Sequence, residues 1–162
     1  MSVEVKNLAK FVQWANNRYR QTLRNIDFKK LKAKTPYGNL IGRIIHIIGA
    51  VDLWTKRLQG GNPRKMISED DLDSWEKLDS FWQETDKRFL MLVEGMKEDD
   101  IQRVLTITSL EGETYQAMIG NILTHVAMHG VHHWAQIGAL MRERKLPPLP
   151  ETDYISFSME KT

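Results

Sequence analysis

His125-Val126-Ala127-Met128-His129-Gly130-Val131-His132-His133-Trp134-Ala135-Gln136-Ile137 lies inside a longer stretch that decides the fold. Ile119, Ile122, Leu123, Val126, His129, His133, Ile137, Leu140 and Met141 recur at three- and four-residue steps. That spacing predicts an amphipathic helix with one inner stripe, running roughly from Met118 to Arg144. Lys145-Leu146-Pro147-Pro148-Leu149-Pro150 ends it. Four of the chain's five histidines fall within nine residues of this helix.

Three more segments carry the same period. Leu8, Phe11, Val12, Ala15, Tyr19, Thr22 and Leu23 predict a first helix from about Val3 to Asn25. Asp27 to Gly38 reads as a connection, broken by Pro36 and Gly38, with Asn39 as the N-cap of the second helix. That helix, Leu40 to Leu58, is apolar around most of its circumference, as in a helix buried on more than one side. Trp75, Leu78, Phe81, Trp82, Phe89, Leu92, Val93 and Met96 give a third helix over about Ser74 to Met96. Strand formers Val104 to Thr108, then Glu111-Gly112 and Thr114-Tyr115, predict a short β-hairpin or a loop before the last helix. The expected fold is all-α, a four-helix bundle in a single domain over 1–162.

Composition narrows the chemistry. Of 162 residues, 41% are hydrophobic and 27% charged, which is ordinary globular material. With no cysteine, disulfides, thiolate metal sites and a Cys nucleophile are excluded. A net charge of +2 is a weak field for nucleic acid. The run Lys29, Lys30, Lys32 and Lys34 lacks interleaved aromatics, so a solvated segment explains it and nucleic acid is not the expected partner. No apolar run is long enough for a signal peptide or a membrane span, and a cytoplasmic location is expected.

The histidines are the chemical signal. Residues four apart share a helix face, so His125/His129 and His129/His133 can each aim two imidazoles at one point. His46, the fifth, lies in the helix expected opposite, and its neighbours Ile44, Ile45, Ile47 and Ile48 predict burial. Bundle cores build metal sites from facing helices, and three neutral imidazoles leave coordination positions open for substrate or water. Spacing alone does not choose between the two pairs on the last helix. A lone histidine on an apolar face is otherwise a hydrogen-bonded core residue.

Over roughly residues 5–157 the chain resembles the DinB/YfiT-like family. Trp14-Ala15-Asn16-Asn17-Arg18 is similar to that family's W-x-N-x-R start. Tyr37-Gly38-Asn39-Leu40, His46-Ile47 and Trp54 to Gly60 resemble its G-S-L…H-I…W-x-x-R-x-x-G block. His125 to Ile137 resembles H-x-x-x-H-G-x-H-H-R-G-Q-I, and Pro147-Pro148 with Thr152-Asp153 resembles its tail. Two departures stand out: Trp134-Ala135 for Arg-Gly, and Asn39 for Ser.

The resemblance implies a four-helix bundle, a homodimer, and a divalent metal held by His46, His129 and His133. Zn or Ni is favoured over Mn or Fe. His125 and Gln136 would stand behind or beside the ligands, and His132 would point about 80–100° away. It also implies a metal-dependent transferase acting on a low-molecular-weight thiol, or a hydrolase, with a small-molecule substrate. The competing reading is a non-catalytic, dimeric stress or interaction protein that binds metal. No residue declares itself as general base. Trp14 and Trp54 read as core, Arg18 and Arg57 as structural ion-pair donors, and Met91, Met96, Met118, Met128 and Met141 as core filling.

Overall fold

Two of the long helices begin at side-chain caps that the sequence supplies. The structure is a computed structural model describing residues 2–36 and 38–159; Tyr37 lies outside the described residues. Helix α1 spans Ser2–Leu23. Helix α3 (Leu40–Leu58) starts at Asn39, whose Oδ1 accepts from the Gly42 N–H at 2.6 Å. Helix α4 (Trp75–Gly95) starts at Ser74, whose Oγ accepts from the Lys77 N–H. Such caps satisfy amides that the first helical turn leaves without partners. Helix α6 spans Ile119–Glu143.

These four helices form a bundle in which α1 and α3 each pack against both α4 and α6. The apolar stripes meet inside in two clusters. One is built around Ile44, Ile48, Leu78, Trp82, Ile137 and Met141. The other is built around Phe89, Val93, Ile119, Ile122 and Leu123. The hairpin is present. Strand β1 (Val104–Thr108) pairs antiparallel with β2 (Thr114–Met118), Val104 opposite Met118 and Thr108 opposite Thr114. Two strands alone are marginal in water; here Ile107 is buried in the second cluster beside Ile119 and Ile122.

Three short helices were not expected. Helix α2 (Phe28–Lys32) forms inside the first connection because Asp27 accepts from the Lys29 N–H at 2.9 Å and Leu31 is fully buried. Its lysines stay exposed. Helix α5 (Glu98–Gln102) is held by the Asp100 carboxylate on the Lys97 N–H and by burial of Ile101. Helix α7 (Tyr154–Met159) lays Tyr154 and Phe157 against Phe11, ring centroids 5.3 and 5.8 Å apart, while the Tyr19 hydroxyl hydrogen-bonds Thr152. Periods this short give no readable stripe.

The methionines divide. Met96 and Met141 are buried, but Met91, Met118 and Met128 are exposed, because they sit on the outward arcs of their elements. Trp14 and Trp54 are only partly buried, each with a guanidinium over its ring: Arg18 and Arg57, both 4.8 Å from the centroid. Arg57 also donates to the Thr108 carbonyl at 2.9 Å, so it ties the hairpin to α3 where an ion pair was expected. Among the described residues, no helix is long and apolar enough to cross a membrane.

Candidate metal centre

Helix α6 presents His125, His129 and His133 at successive four-residue steps, and α3 lies alongside it with His46. The ring centroids of His46, His129 and His133 lie 4.3 to 5.0 Å apart. Among the described residues these three form a group able to hold a metal ion, with one nitrogen from each within 4.8 Å of the others. His46 Nε2 and His129 Nε2 are 3.1 Å apart. Two imidazole nitrogens that close share either one proton or one cation. The separation is the edge expected when each nitrogen sits ~2.0–2.1 Å from a common ion.

His46 is exposed, against the expectation of burial. Residues one or two places away on a helix point roughly 100–200° elsewhere, so buried isoleucines around it say nothing about its own direction. With Gly42 and Arg43 it forms the arc of α3 that the core does not cover. His129 and His133 are half-buried, so the three rings form a group open on one side.

Gln136 fixes the third ring. Its Oε1 accepts from His133 Nδ1–H at 3.0 Å and from Arg43 Nη1–H at 3.4 Å. An amide oxygen only accepts, so the Nδ1 of His133 carries a proton, and the tautomer of the neutral ring is the one whose Nε2 keeps its lone pair. The Gln136 amide then donates to His132 Nε2 at 2.9 Å. His132 is exposed, off the cluster, and tied to it through Gln136. His125 is also exposed. Its ring lies 5.6 Å from His129 and 5.5 Å, edge to face, from Trp54.

The electrostatics favour neutral rings. Desolvation, then the neighbouring His133 and Arg43, hold the His46 imidazolium below its usual range. Desolvation, then the surrounding histidines, push His129 down to about 4. Each of these two rings is therefore neutral near neutral pH and offers one nitrogen lone pair. A carboxylate is absent from the group, so any bound cation would keep its full charge for a ligand in an open position.

About 100° around α6 from His133, a second polar group is buried. Trp134 Nε1–H donates to Asn16 Oδ1 at 3.1 Å, and Asn16 Nδ2–H donates to Asp86 Oδ1 at 2.9 Å. Asn16 and Asp86 are 2% and 5% exposed. Burial raises the Asp86 carboxyl to about 7, with the Asn16 amide and the Arg20 charge pulling the other way. This relay was not foreseen. Its signal was an aspartate between Trp82 and Phe89 on the inner stripe of α4. Asp52 faces away from the cluster as its spacing implied, paired with Lys56 and Arg88 at 2.7 Å each.

Known proteins supply the context. No curated protein matches the chain. Among solved structures, the DinB-like protein YjoA of Bacillus subtilis superposes with a TM-score of 0.66 at 14% identity, covering 90% of this chain and 97% of that one. At that identity the likeness speaks for the fold, a helical bundle. The sequence model of the DinB family matches residues 1–160, nearly the whole length, with the three converging histidines inside it. The chain belongs to the DinB family.

Proposed function

We propose that this protein is a metal-dependent enzyme acting on a small molecule, with a divalent ion held by His46, His129 and His133. The observation that carries the reading is the approach of His46 Nε2 to His129 Nε2 at 3.1 Å, with His133 locked by Gln136 to leave its own Nε2 lone pair available. Three neutral imidazoles and no carboxylate suit Zn or Ni, with Mn and Fe as lesser fits. When bound, such an ion lowers the pKa of a thiol or a water in its open position and so supplies a nucleophile at neutral pH.

The chain's own residues do the rest. Gln136 holds the His133 ring and its tautomer, the kind of outer contact that sets ligand orientation and basicity. Arg43 donates to the same amide oxygen and so braces Gln136 from α3. The open side of the cluster leaves room for a small thiol or a water. The favoured activity is transfer chemistry on a low-molecular-weight thiol, with hydrolysis as the variant in which water takes that place. A homodimer in the cytoplasm is part of the same proposal.

A non-catalytic interaction protein is the second reading, favoured by Met128 and Val131, which are 62% and 49% exposed on the helix that carries the cluster. One experiment separates them. Zinc-loaded protein is mixed with a panel of small thiols and an electrophilic acceptor, and thiol loss is followed beside His129→Ala. Turnover that vanishes in His129→Ala supports the enzyme. No turnover, together with an ion that exchanges no water, supports the interaction protein.

A further inference from the structure

Gly130 lies between His129 and Val131 in the interior of α6, and it is buried. A Cβ built there would meet no atom within 4 Å. Buried positions in well-packed interiors do not normally offer an empty side-chain volume. Glycine also weakens a helix interior relative to alanine. Nothing presses against this position to require glycine, so its contribution is space.

That space belongs to a slot between three helices. Val12 and Ala15 of α1, Ile47 and Val51 of α3, and Ala127 and Gly130 of α6 line it, and His129 stands on its wall. His129 thus belongs both to the slot and to the three-histidine cluster. The cavity volume is about 20 Å³, room for about one water-sized group. The walls are almost wholly apolar. Of the polar groups at the slot, Asn16 already has both amide atoms engaged, by Asp86 and Trp134, and the Tyr19 hydroxyl is taken by Thr152. A water there would find few partners, and an apolar group would lose little on entry.

We propose that the Gly130 slot receives a short apolar arm of the substrate, about one or two carbons long, while its donor atom reaches the histidine cluster. The ligand class is a small molecule with a metal-ligating head, such as a thiol, joined to a methyl- or ethyl-sized arm. The head's anchorage rests on the proposed metal centre; the slot itself does not.

The test uses ethanethiol and hexanethiol as probes, each titrated into zinc-loaded and metal-stripped protein. Binding is followed through the indole N–H resonances of Trp54 and Trp134, which both line the slot. Wild type is compared with Gly130→Ala and Gly130→Leu, with zinc content and helicity measured on every sample. In wild type, ethanethiol binds at least tenfold more tightly than hexanethiol, and at least tenfold more tightly with zinc than without. Gly130→Leu loses the ethanethiol shifts while loading zinc as wild type does. Gly130→Ala, which meets no steric obstacle, keeps the fold and weakens binding at least threefold. Equal or tighter binding of hexanethiol would overturn the slot, as would ethanethiol shifts that survive in Gly130→Leu or are absent from wild type. Failure to load zinc would sink the metal centre alone, because the stripped protein still reports whether the slot takes the short arm.

Discussion

His133 and Trp134 are adjacent on α6 and face opposite environments. His133 is half-buried in a cluster of three converging imidazoles that contains no carboxylate. Trp134 is 4% exposed, and its N–H ends a relay through Asn16 to Asp86. One polar group is left open to be completed by something outside the chain. The other is closed by the chain itself. Buried polar atoms without partners are costly, so the buried group is paired throughout and the open group lies toward solvent. Substitutions in the closed group should therefore register in stability, and those in the open group in ligand binding.

The largest effect is expected at Trp134. Trp134→Ala removes a ring packed against Tyr19 and Trp82, centroids 4.3 and 5.6 Å away, and strands the Asn16 oxygen. Denaturant unfolding should show a loss of about 3–5 kcal/mol. A loss below about 1 kcal/mol would mean that the relay is not structural.

Asp86 sharpens the contrast through pH. Its folded carboxyl titrates near 7 against an ordinary 3.8, so the folded state holds a proton that the unfolded chain gives up. Stability from this group is present below about pH 4 and is lost as pH rises through 7, by up to about 4 kcal/mol. Asp86→Asn should flatten that slope and raise the melting temperature at pH 8 relative to wild type. Parallel slopes in the two proteins would contradict it.

In the open group, Gln136→Ala frees the His133 ring without removing a ligand. Metal affinity should fall about 10–100-fold, measured by competition with a chelator, with the melting temperature of metal-free protein nearly unchanged. Acid acts on the same group: with His46 held below its usual range and His129 near 4, zinc should persist at pH 6 and leave as pH approaches 4. The smallest stability effect is expected for His129→Ala in metal-free protein, less than about 1 kcal/mol by denaturant unfolding, since the ring is half-exposed.

The fold was legible wherever apolar residues repeat over many turns. The four long helices, the Asn39 cap of α3 and the hairpin all follow from period and cap chemistry. Helices α2, α5 and α7 are five or six residues long, too short for a stripe, and depend on a single buried or docked side chain. The convergence of His46, His129 and His133 could be expected from spacing together with family resemblance. The exposure of His46 could not be read from its neighbours, because sequence neighbours face other directions. The Gln136 amide ties Arg43 and His132 into the site, a tertiary contact without a sequence period. The Asn16–Asp86–Trp134 relay spans α1, α4 and α6, and only an aspartate on an apolar stripe hinted at it.

The central claim is that the open histidine group holds one divalent ion. It is tested most directly by elemental mass spectrometry on protein purified without a histidine tag, comparing wild type with His46→Ala and His129→Ala. The account predicts about one metal ion per chain, lost in both variants while circular dichroism shows the bundle intact. Wild type that binds none, even after reconstitution with zinc, nickel, manganese and iron, would contradict it and leave the 3.1 Å contact as a hydrogen bond between two histidines.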